Sequence, residues 1–255
     1  MTFRHQRMFG VRRGPPLVEA YIRMVTFDVA AGAYARFMGR YSEPLAVQFA
    51  ELADLGAGHR ALDVGCGPGA LTARLVDALG AGAVSAIDPS PSFVEAVKAR
   101  FPQVDAHCGV AEHLAFPVES FDFAFAQLVV HFMTDPVSGL REMARVTRPG
   151  GLVAACVWDH AGGRSPLTTF WRAVHDVTPG APDQAEGAGA REGHLAELFE
   201  AAGLKNLQPT TWTVQVQFAT VADGWEPFTQ GVGPAGAQAP QRDAAHGEGR
   251  TGRGG

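Results

Sequence analysis

The stretch ALDVGCGPG, residues 61–69, decides the fold of this chain. Its first four residues are apolar except for Asp63 and predict a short buried strand. Three glycines at alternating positions then predict a tight turn, since glycine is used where the backbone bends sharply and a ligand approaches it closely. Leucines spaced four apart follow at 71, 75 and 79. The stretch is therefore typical of a strand that turns into a helix over a bound ligand.

Strand-like and helix-like segments alternate on both sides of this turn. The segment Phe121–Val130 is apolar except for Asp122 and Gln127, as expected for a strand that is buried on both faces. Such alternation predicts an α/β fold with three layers, in which helices cover both faces of a doubly wound, mostly parallel sheet. The other predicted strands are Ala83–Asp88, Val104–Cys108, Leu152–Trp158 and a long alternating segment, Leu207–Phe218.

Composition and charge exclude several classes of protein. The chain has 255 residues, of which 46% are hydrophobic, and a formal net charge of -5. That charge gives no sign of a nucleic-acid partner, and no apolar run approaches the ~20 residues of a membrane span. Its three cysteines are widely spaced and form no metal-binding set with the nine histidines. We therefore expect a protein of the reducing cytoplasm without a metal ion.

The sequence predicts one folded domain between two disordered ends. Residues 1–23 read as a disordered extension, and residues 238–255 as a disordered tail that lacks large apolar residues. The domain between them, 24–237, divides into cap helices at 27–55, a cofactor core at 58–159 and a Gly- and Pro-rich insertion at 160–193.

The glycine turn by itself is compatible with two cofactors. Gly65, Gly67 and Ala70 satisfy the relaxed dinucleotide fingerprint, and Asp88 ends the next strand, where a carboxylate would accept hydrogen bonds from a ribose diol. Asp63, however, places a negative charge where dinucleotide folds keep an apolar strand residue. That charge suits a cationic ligand and favours S-adenosylmethionine over NAD.

Several segments together resemble the class I S-adenosylmethionine-dependent methyltransferases that act on small molecules, the methyltransferase type 11 or quinone-biosynthesis-like family. ALDVGCGPGALT resembles the first motif of the family, and AIDPSPSFVEAVKAR its second strand and helix. CGVAEHLAFPVESFDFAFAQ resembles the adenine-side motif and fourth strand, and EMARVTRPGGLVAACVWD the turn and fifth strand. FDVAAGAYARFMGRYSEPLA resembles an N-terminal cap helix. The resemblance covers residues 27–228.

The resemblance implies a set of contacts to S-adenosylmethionine. The glycine loop would face the methionine moiety, the carboxylate of the second strand the ribose hydroxyls, and the residues after the second and third strands the adenine. The side chain late in the fourth strand would lie beside the sulfonium, under a closing cap. The implied cofactor-binding residues are Asp63, Gly65, Cys66, Gly67, Gly69, Asp88, Pro89, Phe93, Ala111, Glu112, Gln127, Tyr34 and Arg40.

The adenine-side motif departs from the family at one position. The family often carries an acidic residue directly after the glycine that corresponds to Gly109, but this chain has Val110. The usual acceptor for the adenine amino group is therefore missing. Glu112 or backbone carbonyl groups would have to replace it.

The resemblance implies methyl transfer to the oxygen, nitrogen or carbon atom of a small organic acceptor. His131, directly after the fourth strand, is the candidate general base. Asp159 and His160 after the fifth strand are weaker candidates, and the alternative for them is a solvated turn. The alternative for His131 is a side chain that caps the strand or packs under the cap. An NAD(P)-dependent oxidoreductase and a cofactor-binding protein with impaired catalysis are the competing functions.

The resemblance ends near Ala237, before the antiparallel strand with which this fold usually finishes. Residues 238–255 have no composition from which that strand can form. We therefore expect the final antiparallel strand to be missing, through a truncation or a change of reading frame, and activity to be impaired as a result.

Overall fold

The computed structural model of the chain describes residues 31–225. The extension expected at 1–23 and the tail expected at 238–255 lie outside the described residues. The helices in the described range are α1 (Ala31–Tyr34), α2 (Arg40–Ala50), α3 (Ala70–Leu79), α4 (Pro91–Arg100), α5 (Pro136–Val146), α6 (Thr168–Val177), α7 (His194–Ala201) and α8 (Val221–Trp225). A π-helical turn, Ala35–Gly39, joins α1 to α2, and short 3-10 turns occupy Ala81–Ala83 and Val130–Phe132.

The described strands form one parallel sheet. They are β1 (Ala61–Val64), β2 (Val84–Asp88), β3 (Asp105–Cys108), β4 (Phe121–Gln127) and β5 (Thr147–Cys156), and they lie in the order β3-β2-β1-β4-β5. The chain winds outward in one direction from β1 and in the other from β4, which confirms the predicted doubly wound α/β fold. Ligands of such sheets bind at the carboxyl ends of the strands where the order reverses, here β1 and β4.

Apolar side chains on the two faces of the sheet form two separate cores. On one face Phe49 of α2 packs edge-on against Phe125 of β4, with 5.4 Å between their ring centroids, and Leu75 of α3 belongs to the same cluster. On the other face Leu62 of β1 packs in a cluster with Leu140 of α5. Every residue of β1 is buried because helices cover both faces, and the three predicted layers are therefore present.

The predicted strand Leu207–Phe218 is wrong, because residues 205–218 adopt no strand and pair with no other part of the described sheet. Alternation of apolar and polar residues makes a strand only where a neighbour supplies hydrogen bonds. The segment packs through side chains instead, and the Trp212 ring lies 6.0 Å from the ring of Phe49.

Among residues 31–225, no helix has both the length and the apolar character to cross a membrane.

Gly151 in the turn before the apolar half of β5 should be the glycine on which the β4–β5 pairing depends most. A Cβ at Gly151 would overlap the Asp122 carbonyl oxygen and lie 2.7 Å from Cγ2 of Thr147, and a backbone carbonyl cannot rotate away. Gly150 instead has a φ of +80° with open space around it. We expect Gly151→Ala to lower the free energy of unfolding by about 3 kcal/mol or more. The matched control Gly150→Ala should cost about 1–2 kcal/mol; urea denaturation of both variants measures the difference, and an equal loss would contradict the assignment.

Candidate cofactor and acceptor site

The glycine loop, residues 65–69, is bound to the end of β2 by two backbone hydrogen bonds. The N–H groups of Gly65 and Cys66 both donate to the carbonyl of Ile87, at 2.8 and 2.9 Å. Gly65, Gly67 and Gly69 have φ angles of 69°, 52° and 93°, which glycine adopts without strain. Helix α3 begins directly after the loop, so its positive N-terminal end faces the carboxyl edge of the sheet.

Leu128 and Val129 hold the loop from the side of β4. Leu128 has a left-handed φ of 62°, which is strained for a leucine, and its N–H donates to the carbonyl of Cys156 at 2.9 Å. The chain thereby turns sharply where β4 ends. The side chain of the next residue, Val129, lies so close to Gly65 that a Cβ there would stand 2.7 Å from its Cγ1.

Asp63 is a buried carboxylate with one oxygen unused. Its side chain is 1% exposed, and Oδ2 accepts a hydrogen bond from Thr72 Oγ1 at 2.6 Å. Oδ1 accepts no hydrogen bond from any residue that the structure describes. Burial, together with the nearby charge of Asp88, raises the pKa of Asp63 to about 7 against the opposing effect of the Thr72 hydrogen bond. A cationic group at Oδ1 would reverse this shift.

Asp88 ends β2 beside the loop, with its carboxylate positioned by backbone donors. Oδ2 accepts from the Gly67 N–H at 2.9 Å and Oδ1 from the Ser90 N–H at 2.8 Å. Each oxygen keeps a lone pair for a further donor. Burial raises the pKa of Asp88, and the two backbone hydrogen bonds oppose that shift.

Tyr34 brings the cap onto the same site. Its ring packs edge-on against Phe93 of α4, with 5.1 Å between centroids, and its Cε1 is 3.9 Å from the position that a Cβ of Gly67 would take. Burial, followed by the charge of Asp88, raises the pKa of the Tyr34 hydroxyl. The structure therefore brings Tyr34, Gly67, Asp88 and Phe93 together, although they come from four separate segments.

Residues at and after the ends of β4 and β5 lie together at the same edge of the sheet. The rings of His131 and His160 are 5.7 Å apart, and His131 Nδ1 is buried without a hydrogen-bond partner in the described part of the chain. Burial, and then the neighbouring His160, lowers the pKa of His131 to about 3. Gln127 donates from Nε2 to the carbonyl of Ser42 at 3.0 Å, which ties the end of β4 to α2.

Two of the predicted cofactor residues have their charged groups engaged with other parts of the fold. Glu112 accepts hydrogen bonds from the backbone N–H groups of Thr134 and Asp135, at 2.7 and 3.1 Å, where α5 begins. Arg40 pairs with Asp223 at 3.0 Å. The Glu112 carboxylate thus binds the start of α5 and the Arg40 guanidinium binds Asp223, and a contact of either residue with a cofactor stays a prediction.

The remaining predicted contacts rest mainly on backbone position. Pro89 is exposed next to Asp88, whereas Ala111 is buried at 6% exposure beneath α5. Burial raises the pKa of the Cys66 thiol well above its usual range, so this cysteine stays protonated within the loop. Val110, at the position where the family often has an acid, is 47% exposed.

Four functional candidates were not predicted from the sequence. They are Thr72, Leu128, Val129 and Gln184, and the first three contact the loop or the strand end next to it. Leu128 and Val129 belong to an apolar run that looks like ordinary strand core. Gln184 lies in the Gly- and Pro-rich insertion, whose sequence contains no signal of its packing. In the described part of the chain no three His, Cys, Asp or Glu side chains converge on a metal site.

Comparison with known proteins identifies the class of this fold. Residues 62–155 match the family model described as a methyltransferase domain. An uncharacterized methyltransferase of Mycobacterium tuberculosis is 37% identical over 135 residues, which cover 53% of this chain and 52% of that protein. The chain thus spans about half the length of the curated relatives that it matches there. The demethylmenaquinone methyltransferase of Bacillus licheniformis is 29% identical, over 69% of this chain and 82% of that protein.

A solved structure supports the same fold. A putative methyltransferase in complex with the Trm112 activator from Haloferax volcanii has a TM-score of 0.53 at 20% identity, over 72% of this chain and 75% of that one. Residues 62–155 therefore match a methyltransferase domain in sequence, and the chain shares the fold of this solved structure. The cofactor that this class implies is S-adenosylmethionine.

The residues of the site fit this cofactor. The unused oxygen of Asp63 suits an ammonium group, and the free lone pairs of Asp88 suit ribose hydroxyls. The Tyr34 ring lies next to Gly67, since a Cβ there would meet that ring at 3.9 Å. Burial raises the pKa of both carboxylates, and no positively charged group is among the causes that oppose the two shifts. A cofactor with an ammonium and a sulfonium group supplies such a charge.

Proposed function

We propose that this protein transfers the methyl group of S-adenosylmethionine to a small organic acceptor held above β4 and β5. The observation that carries the proposal is Asp63, a buried carboxylate in β1 next to the glycine loop, with one oxygen left for a cationic ligand. The cofactor would supply an electrophilic methyl carbon. The acceptor atom would bond to this carbon as the carbon–sulfur bond breaks, and the electron pair of the broken bond would stay on sulfur.

The described residues contribute mainly alignment and exclusion of water. Positioning of a nucleophile in line with the methyl group is worth about 7–11 kcal/mol of the barrier in favourable cases. In our proposal Asp63 and Asp88 hold the cofactor from the loop side, while Tyr34 covers it from the cap. Gln127, fixed to α2 through its Nε2, keeps a buried Oε1 without a partner among the described residues and would face the reacting centre.

His131 would bind the acceptor, with little capacity as a base. A pKa of about 3 leaves the imidazole uncharged at neutral pH and gives it little tendency to take a proton. We propose that it orients a hydroxyl or amino group by a hydrogen bond, and that the released proton passes to water. An acceptor that is already acidic needs no strong base.

Asp88→Ala tests the cofactor half of the proposal. We expect wild-type protein to bind S-adenosylhomocysteine and not NAD in calorimetry. Loss of the Asp88 hydrogen bonds should weaken that binding by about 1–3 kcal/mol. Asp77→Ala is the matched control, because Asp77 is an exposed carboxylate on α3 that pairs only with Arg74 among the described residues. Binding of NAD alone would contradict the proposal, and unchanged affinity in Asp88→Ala would contradict the role of Asp88.

We also propose a cytoplasmic location. The three cysteines, Cys66, Cys108 and Cys156, are all free thiols. Burial raises the pKa of Cys156 to about 12, which keeps it protonated and unreactive. Free thiols that pack as small apolar side chains are typical of a reducing compartment.

A further inference from the structure

Unpartnered polar atoms are concentrated at one end of this fold. Nine buried side-chain nitrogen and oxygen atoms make no hydrogen bond to any described residue. All of them except His59 Nδ1 belong to the carboxyl side of the sheet or to the segments that cover it. A buried polar group without a partner costs about 1–3 kcal/mol, so such a concentration indicates a place where a ligand supplies the missing partners.

Four of these atoms come from three residues, His131, His160 and Gln184. Both ring nitrogens of His160 lack a partner, as do His131 Nδ1 and Gln184 Oε1. The two imidazoles are 5.7 Å apart. Gln184 is 5% exposed. Its backbone lies close to His131, since a Cβ at Gly187 would lie 3.6 Å from His131 Cβ and 3.2 Å from the Gln184 carbonyl oxygen.

No lysine or arginine is among the groups that shift the pKa of His131 or His160 in the described chain. Burial lowers the pKa of His160 to about 4, against the opposing charges of Asp183 and Asp159, so the imidazole is uncharged at neutral pH. Arg164, the nearest guanidinium along the chain, is held by Asp159 at 2.6 Å and by Glu192 at 2.9 Å.

We propose that His131, His160 and Gln184 form the acceptor subsite and bind a neutral hydroxyl or carbonyl group of an otherwise apolar, flat acceptor. This inference rests on the proposed methyl transfer. A hydroxyl group donates to the Gln184 oxygen or to a ring nitrogen and accepts from an imidazole N–H, so it satisfies several of the unpartnered atoms at once. A carboxylate brings only acceptors and would meet the lone pairs of Gln184 without a compensating cation.

The apolar wall beside the subsite supports a flat acceptor. Trp158, next to the β5 end, packs edge-on against Tyr41 of α2 with 6.3 Å between centroids. Trp158 also belongs to the aromatic cluster of Phe170 and Trp171. Aromatic walls with a few convergent polar groups are typical of sites for small planar molecules.

The subsite is tested by binding of naphthol and naphthoate to the full chain, measured by calorimetry with and without S-adenosylhomocysteine. These probes share the aromatic body and differ in the neutral or charged polar group. We expect naphthol to bind at least about tenfold more tightly than naphthoate. His160→Phe and Gln184→Leu should each weaken naphthol binding about tenfold and leave the affinity for S-adenosylhomocysteine unchanged.

His59→Phe is the matched control, because His59 Nδ1 is buried and unpartnered in the described chain but lies before β1, at the opposite end of the sheet. It should change neither affinity. Absence of naphthol binding, a preference for naphthoate, or wild-type naphthol affinity in both subsite variants would overturn the inference. If His160→Phe does not fold, Gln184→Leu decides. Failure to bind S-adenosylhomocysteine would instead contradict the proposed methyl transfer. The comparison of naphthol with naphthoate in the absence of S-adenosylhomocysteine would still test the subsite.

Discussion

Gly65→Ala should reduce the affinity for S-adenosylhomocysteine more than any other single change in the loop. A Cβ at this position would stand 2.7 Å from Val129 Cγ1, and the φ of +69° strains any side chain. Relief of the clash requires the loop to leave its place beside β2, where the Gly65 and Cys66 N–H groups share the Ile87 carbonyl. A displacement that costs about 3 kcal/mol corresponds to about a 100-fold loss of affinity.

Two further variants separate the clash from the backbone strain. Gly80→Ala, at the end of α3, imposes a similar φ of +82° with open space around the new Cβ, so it should cost stability without loss of binding. Val129→Ala in the Gly65→Ala background removes the methyl groups that clash. We expect that double variant to recover at least about tenfold of the lost affinity. If the double variant recovers none of the lost affinity, the packing of Val129 against Gly65 does not position the glycine loop.

The part of the site that sequence reasoning predicted consists of residues whose backbone position is set by a motif. The positions of the glycine loop, Asp63 and Asp88 follow directly from strand, turn and strand, and the structure places them at the carboxyl ends of β1 and β2. Side chains that depend on tertiary packing were harder to assign. Glu112 lies close to the adenine-side motif in sequence, yet its carboxylate is used where α5 begins, at 2.7 Å from the Thr134 nitrogen.

Residues 207–218 and Leu128 show the same limit for the backbone. The alternating pattern of 207–218 is that of a strand. A strand also needs a neighbouring strand with free hydrogen-bonding groups, and the sequence of one segment does not show whether such a neighbour exists. Leu128 sits in an apolar run that predicts continuous strand, although the structure ends β4 at Gln127 and gives Leu128 a φ of 62°. A leucine in this conformation costs about 1–2 kcal/mol, and only the surrounding packing explains why it is tolerated.

Asp63 should make cofactor affinity depend on pH. Its pKa of about 7 in the free protein means that the carboxylate is largely protonated below neutral pH and ionised above it. The ammonium group of S-adenosylhomocysteine pairs only with the ionised form. Affinity should therefore rise as the pH increases from about 6 toward 8, by up to about tenfold per unit below the pKa, and then level off.

Asp63→Asn should remove this dependence and lower the affinity at pH 8 by about 1.5–3 kcal/mol, since an amide cannot neutralise an ammonium group. Asp88→Asn is the matched control, because the pKa of Asp88 is also raised. The affinity of Asp88→Asn should still rise with pH, whereas the affinity of Asp63→Asn should not. A flat affinity profile in the wild type would contradict the pairing.

The pH dependence of the stability of the unliganded protein gives an independent measure of the raised pKa of Asp63. A carboxyl whose pKa is raised from 3.8 to about 7 on folding binds more protons in the folded state than in the unfolded one. The free energy of unfolding should therefore fall as the pH rises through that interval. Asp63→Asn abolishes the buried charge and keeps an oxygen for the Thr72 hydroxyl, so it should melt at a higher temperature than the wild type at pH 8. A variant that is more stable but binds the cofactor more weakly is the behaviour expected of a residue that serves the ligand at a cost to the fold.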